Sequence, residues 1–180
     1  VFNGCNQILL INWNAQAAIT AESFDTPAKM GNLLIFAPEG TGCTYEGNVV
    51  INGMAEKISL THGKGFRSPQ AFKAKDITYK RNFSMKSGNK INAAGWEAIV
   101  LPFDVQSFSN EKQGELAPFN SGKKGVKPFW LAQMTTDGFE HTTAMKANKP
   151  YIISLPNSES YEDEFNISGE VQFHAEDADG

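Results

Sequence analysis

The residues most able to do chemistry are carboxylates and aromatics. Glu97, Asp104, Glu159, Glu162 and Glu170 are acids from which a glycosidase or lyase could draw a pair, one to donate a proton and one to act as nucleophile or base. That chemistry needs two carboxyl groups about 5 to 9 Å apart, a distance that spacing along one chain does not set. Tyr45, within a glycine-rich turn, and Tyr161, among acids, are the aromatics placed most like loop residues. On loops, such rings suit the apolar faces of sugars while polar neighbours read the hydroxyls, so both are candidate ligand contacts. Trp96 and Trp130 fall inside apolar runs and read as core.

Other chemistries find less support. His62, His141 and His174 show neither a His-x-His nor an HExxH spacing, so no metal or cofactor is expected. The acidic runs Glu162-Asp163-Glu164 and Glu176-Asp177-Asp179 are oxygen-rich, as a calcium site is, but lack the alternating ligand order of a calcium loop. No serine sits in a Gly-x-Ser-x-Gly elbow. The glycines of APEGTGCTYEGN (37–48) are not followed by Gly-Lys-Ser/Thr and a helix, which argues against a phosphate loop and for turns between strands. Cys5 and Cys43 are too few for a disulfide framework and would form one bridge at most.

The chain has 180 residues, 41% hydrophobic and 20% charged, a composition that builds a packed core. No apolar run is long enough to span a bilayer, so no membrane insertion is expected. The net charge of -4 offers no general attraction for nucleic acid. Charge is nonetheless segregated. Between Lys57 and Lys90 nine Lys or Arg face a single acid, Asp76, whereas Asn157 to Gly180 carries eight acids and no base. The simplest account is solvated faces, or segments that face one another. The sequence begins at Val1 without an initiator Met, and a mature or trimmed fragment is expected.

The elements that must hold these residues read as strands. Apolar or alternating runs occur at 7–12, 33–37, 48–51, 54–60, 72–83, 95–104, 129–136, 139–145, 150–155 and 170–175. Gly95–Asp104 (GWEAIVLPFD) carries apolar residues on both faces and predicts a central strand ended by Pro102. Asn52-Gly53 and Asp137-Gly138 predict two-residue type I′ hairpins. Asn14–Glu22 predicts the one helix, and Ser107–Lys127 the longest loop. The pattern predicts an all-β fold, an antiparallel jelly-roll-like β-sandwich of about ten short strands with little or no helix. It forms a single domain over 1–180, with 1–30 as a peripheral extension.

The words NLLIFAPEG, NVVINGMAEKISL, FKAKDITYKRNF, GWEAIVLPFDV and KPYIISLP, in that order between Leu33 and Phe173, resemble a β-rich module of secreted and surface proteins of Bacteroidetes. In those proteins the module accompanies leucine-rich-repeat or immunoglobulin-like segments. The resemblance implies an exported, non-catalytic surface module, structural, adhesive or glycan-binding, whose partner is a glycan or another surface protein. It brings no catalytic or ligand residues with it. The rival expectation is a glycoside hydrolase or lyase using the carboxylates named above.

Overall fold

The structure, a computed structural model, describes residues 8–24, 31–88 and 95–179. Its strands are β1 (Leu10–Asn12), β2 (Leu34–Ala37), β3 (Asn48–Ile51), β4 (Met54–Ala55), β5 (Ile58–Thr61), β6 (Lys73–Asn82) and β7 (Glu97–Ile99). They continue with β8 (Ser107–Asn110), β9 (Gly114–Pro118), β10 (Lys127–Thr135), β11 (Gly138–His141), β12 (Tyr151–Ser154) and β13 (Glu170–Asp179). The all-β expectation holds, with 13 strands among the described residues rather than about ten. The helix expected over Asn14–Glu22 is not observed: Ile19 is held as extended backbone by the Gly42 carbonyl and the Thr44 amide, and only one 3₁₀ turn, Ala21–Ser23, follows it.

The chain divides into two compact units, Val1–Tyr79 with Glu176–Gly180, and Lys80–Ala175. In the first unit the strand order is β1-β2-β3-β4-β6, with β5 also on β6. Here the antiparallel expectation fails. β1 lies parallel to β2 (Leu10↔Leu34, Ile11↔Ile35), and β2 lies parallel to β3 (Ile35↔Val49). Segments 13–33 and 38–47 are long enough to carry the chain back to the end it started from, which a short hairpin cannot do. The same sequence offset that separates Leu10 from Leu34 separates Ile19 from Cys43, which form a parallel bridge. Successive passes of the chain are therefore stacked in register. Ile11, Trp13, Ile19, Phe24 and Ile35 bury against one another between those passes, so residues 8–24 belong to the core of this unit.

Asn52-Gly53 forms the expected hairpin, with φ of 50° and 78° at its two central positions. β5 is held in a less common way. Asn48 Nδ2 donates to the Ser59 carbonyl (3.1 Å), and the Ser59 amide donates back to Asn48 Oδ1 (2.6 Å). Asn32 does the same at Thr61, with distances of 3.0 and 2.7 Å. Residues i and i+2 of a strand turn their amides to one edge, so two buried asparagine amides pair there with β5 as a neighbouring strand would.

In the second unit the order is β13-β8-β9-β10-β12-β7, with β11 also on β10. The expected loop 107–127 holds instead the antiparallel pair β8 and β9 (Phe108↔Leu116). Polar residues hide this pair, because Ser107, Ser109 and Glu115 occupy the positions that alternate with buried Phe108 and Leu116. The second hairpin is present, but Thr135 pairs with Gly138, so the turn is Thr136-Asp137 and Gly138 opens β11. The central position expected for Gly95–Asp104 is not observed: β7 is the last strand in its order, Val100 is 57% exposed, and the strand ends at Ile99. Ile99, Leu101 and Phe103 are buried, whereas Trp96 is only half-buried. Apolar residues on both faces had suggested two covered faces, but only one is covered. Gly95, with φ of 72°, lies where a side chain would meet the Lys86 carbonyl carbon and oxygen, so the strand starts beside backbone.

Candidate functional site

Two clefts of the first unit flank one aromatic side chain, Tyr45. One cleft of about 650 Å³ is lined by Leu33, Tyr45, Gly47, Ser59, Thr61 and Lys64 among others. The other, of about 950 Å³, is lined by Cys43, Tyr45, Gly47, Val49, Met54 and Glu56 among others. The parallel bridge positions this tyrosine. The Ile19 amide donates to the Gly42 carbonyl (2.8 Å) and the Thr44 amide to the Ile19 carbonyl (2.9 Å), pinning the residues just before Tyr45.

The ring is then fixed from two sides. Phe24 lies 4.6 Å away, centroid to centroid, and the phenol end lies over Gly47. A Cβ at position 47 would come within 2.1 Å of the Tyr45 ring, so this geometry requires glycine there. Burial, with a smaller contribution from Cys43, holds the Tyr45 phenol above its ordinary value, so near neutral pH it is a neutral donor and acceptor. The arrangement has the chemistry of a polar-ligand cleft: a fixed ring, hydroxyls from Thr44, Tyr45, Ser59 and Thr61, one carboxylate, Glu46, and one ammonium, Lys64.

Tyr161 is placed differently. It is 9% exposed and packs against Trp130, with ring centroids 5.9 Å apart. Its ring supports another aromatic rather than meeting solvent, and the two tyrosines lie in different units. The run of acids around Tyr161 signals an exposed loop. It does not report that the apolar Trp130 would turn outward and draw the tyrosine onto itself. Cys43 is exposed, with its thiol 3.6 Å from the Tyr45 carbonyl. Cys5, and with it the one bridge the sequence allows, lies outside the described residues.

The carboxylates are largely committed to structure. Arg81 Nη2 donates to Glu97 Oε2 (2.6 Å), the Met85 amide donates to Oε1 (2.9 Å), and Arg81 Nη1 donates to the Ala98 carbonyl (2.7 Å). Burial pushes the Glu97 carboxyl up, but the Met85 amide, the Arg81 guanidinium and the Ser84 amide outweigh it and hold it below its ordinary range. Asp104 accepts from Lys146 Nζ (2.7 Å) and the Ala147 amide (2.8 Å), which lowers its pKa. Glu159 and Glu162 are exposed and Glu170 opens β13. Both oxygens of Glu97 and of Asp104 are thus engaged.

The basic segment is partly consumed as well. Lys75 pairs with Glu56, Lys73 with Asp179, and Arg81 with Glu97. In the acidic segment the Asp163 and Asn166 carbonyls accept from Lys127 Nζ (2.5 and 2.7 Å), so an ammonium sits among oxygens that the acid run would otherwise turn to a cation. Among the described residues no three His, Cys, Asp or Glu converge on a common point. Among the described residues no helix is long and apolar enough to cross a membrane. Comparison with protein-family models, with curated proteins and with solved structures finds no match for this chain.

Proposed function

We propose that the chain is a non-catalytic binding module of an exported bacterial surface protein, which holds a neutral glycan in the clefts about Tyr45. Its architectural frame on this reading is a β-sandwich, supported by strands that bury one face, as β10 does with Phe129 and Leu131. The observation that carries the function is the clamped Tyr45, a ring held over Gly47 between two clefts whose linings supply hydroxyl and charged hydrogen-bonding groups. A sugar offers apolar C–H faces to such a ring and hydroxyls to its neighbours. Adhesion would follow from that contact.

Titration with soluble oligosaccharides drawn from a glycan array tests it. The wild type binds at least one member, and Tyr45→Ala loses that binding while keeping its fold. Absence of any ligand reduces the module to a structural spacer. Turnover of a polysaccharide that is lost on replacing Glu159, Glu162 or Glu170 overturns the non-catalytic reading in favour of a hydrolase or lyase.

A further inference from the structure

The first cleft beside Tyr45 carries one charge of each sign. Among the described residues Glu46 and Lys64 are its only charged lining residues, the others being apolar residues, glycines, hydroxyls and Asn48. Both sit on fixed backbone. Glu46 lies between the clamped Tyr45 and Gly47. The stem of Lys64 lies against Gly31, where an added Cβ would come within 3.3 Å of Lys64 Cβ. Buried Asn32 donates from Nδ2 to the Lys64 carbonyl (3.0 Å), and the Lys64 amide donates to the Thr61 carbonyl (3.3 Å).

Neither charge is used within the protein. Among the described residues neither side chain has an ion-pair or hydrogen-bond partner, and the two do not pair with each other. Glu56, Glu97, Glu115 and Asp104, by contrast, are each paired with a lysine or arginine. An uncharged polyol laid on the Tyr45 ring would strip water from both charges and give neither a counter-charge, which weakens binding. A sugar carboxylate on Lys64 and a sugar ammonium on Glu46 satisfy both through charge-assisted hydrogen bonds. The second cleft shares Glu46 and adds Glu39, Glu56 and Lys57. With Glu56 paired to Lys75 (2.6 Å), the charges left there are also of both signs.

We propose that the glycan held in the first cleft is neutral only in sum, carrying carboxylates and ammonium groups in equal number on neighbouring sugars. The inference rests on the reading of the Tyr45 clefts as a glycan site. Lys64 and Glu46 are its specificity-determining residues. The chain's net charge of -4 favours a ligand with ammonium groups alone, so a demand for carboxylate as well falls to Lys64.

Four β-linked tetrasaccharides separate the charges: chitin (none), chitosan (ammonium only), hyaluronan (carboxylate only) and de-N-acetylated hyaluronan (both). Calorimetric titration of the intact chain in mildly acidic, low-salt buffer, where amine and carboxyl are both charged, compares them. The wild type binds the zwitterionic tetramer about fivefold more tightly than either singly charged one, the upper worth of one exposed ion pair. Added salt narrows that gap. Lys64→Met, which keeps an apolar stem on Gly31, brings the zwitterionic tetramer level with chitosan, and Glu46→Gln brings it level with hyaluronan. Lys57→Met, in the second cleft, changes neither ratio. Equal wild-type binding of the zwitterionic and singly charged tetramers overturns the inference, as do ratios that survive both substitutions. A Lys57→Met effect as large as that of Lys64→Met overturns it too, since the charge sensed is then not that of this cleft. If chitin or another array glycan nevertheless binds in a Tyr45-dependent way, the glycan reading stands without the inference; if no glycan binds, both fall.

Discussion

Removing the Glu97 carboxylate isolates the energetics of the buried charge at the start of β7. Arg81 and Glu97 have side chains only 9% and 10% exposed, and the Arg81 guanidinium also lies 4.7 Å from the Phe83 ring centroid. Arg81 Nε is buried with no hydrogen-bond partner, so the guanidinium depends on Glu97 and the Ala98 carbonyl. In Glu97→Ala the cation keeps Ala98 and Phe83 but loses its counter-charge, and the Met85 amide loses its acceptor. Breaking one side of a buried pair costs about 3–5 kcal/mol. For a chain of this size that lowers Tm by about 6–20 °C. Urea denaturation at constant m, with calorimetry, measures it. Replacing both partners, Arg81→Met with Glu97→Leu, returns stability to near wild type, since apolar pairs of similar volume substitute well for buried ions.

The same carboxylate gives a pH signature. Its folded pKa is depressed, so its contribution is fully present above the ordinary value of 4.5 and is lost as pH falls through the lowered value. Glu97→Gln removes that acid limb of the stability profile. A Glu97→Ala variant within about 1 kcal/mol of wild type, the worth of an exposed pair, would refute the reasoning.

Three further outcomes are expected. Gly47→Ala displaces the Tyr45 ring and weakens glycan binding as strongly as Tyr45→Ala, while the thermal transition falls by no more than about 1–3 kcal/mol, the usual cost of overpacking; paired binding and melting curves check both. Ile19→Ala, at a fully buried position between the stacked passes, costs about 2–5 kcal/mol in urea denaturation. Lys127→Met removes the ammonium from the Asp163 and Asn166 carbonyls and makes segment 156–169 cleave faster in limited proteolysis, with little change elsewhere.

Much of the fold was legible because a strand's period of two survives in sequence. The alternation over β6 and β13 and the Asn52-Gly53 turn are examples. What failed had a physical cause in each case. Strand direction depends on where segments 13–33 and 38–47 return the chain, and no local pattern encodes that. The apolar run at Val100 looked like a covered strand because apolar side chains outside a core read the same as those inside it. That Tyr45 lies outside the strands was legible because glycines mark tight turns, yet the reason for Gly47 is steric contact with the tyrosine ring. Trp130 was missed as a surface group because a tryptophan in a strand gives no sign of which face it takes.

The division of the chain also sets an order of events during synthesis. The second unit is continuous, Lys80–Ala175, whereas the first needs Val1–Tyr79 and then Glu176–Gly180. A ribosome therefore delivers every residue of the later unit before it delivers the closing residues of the earlier one. The unit made first is the unit finished last, and until the end of β13 emerges its nascent core waits on a partner that has not yet been translated.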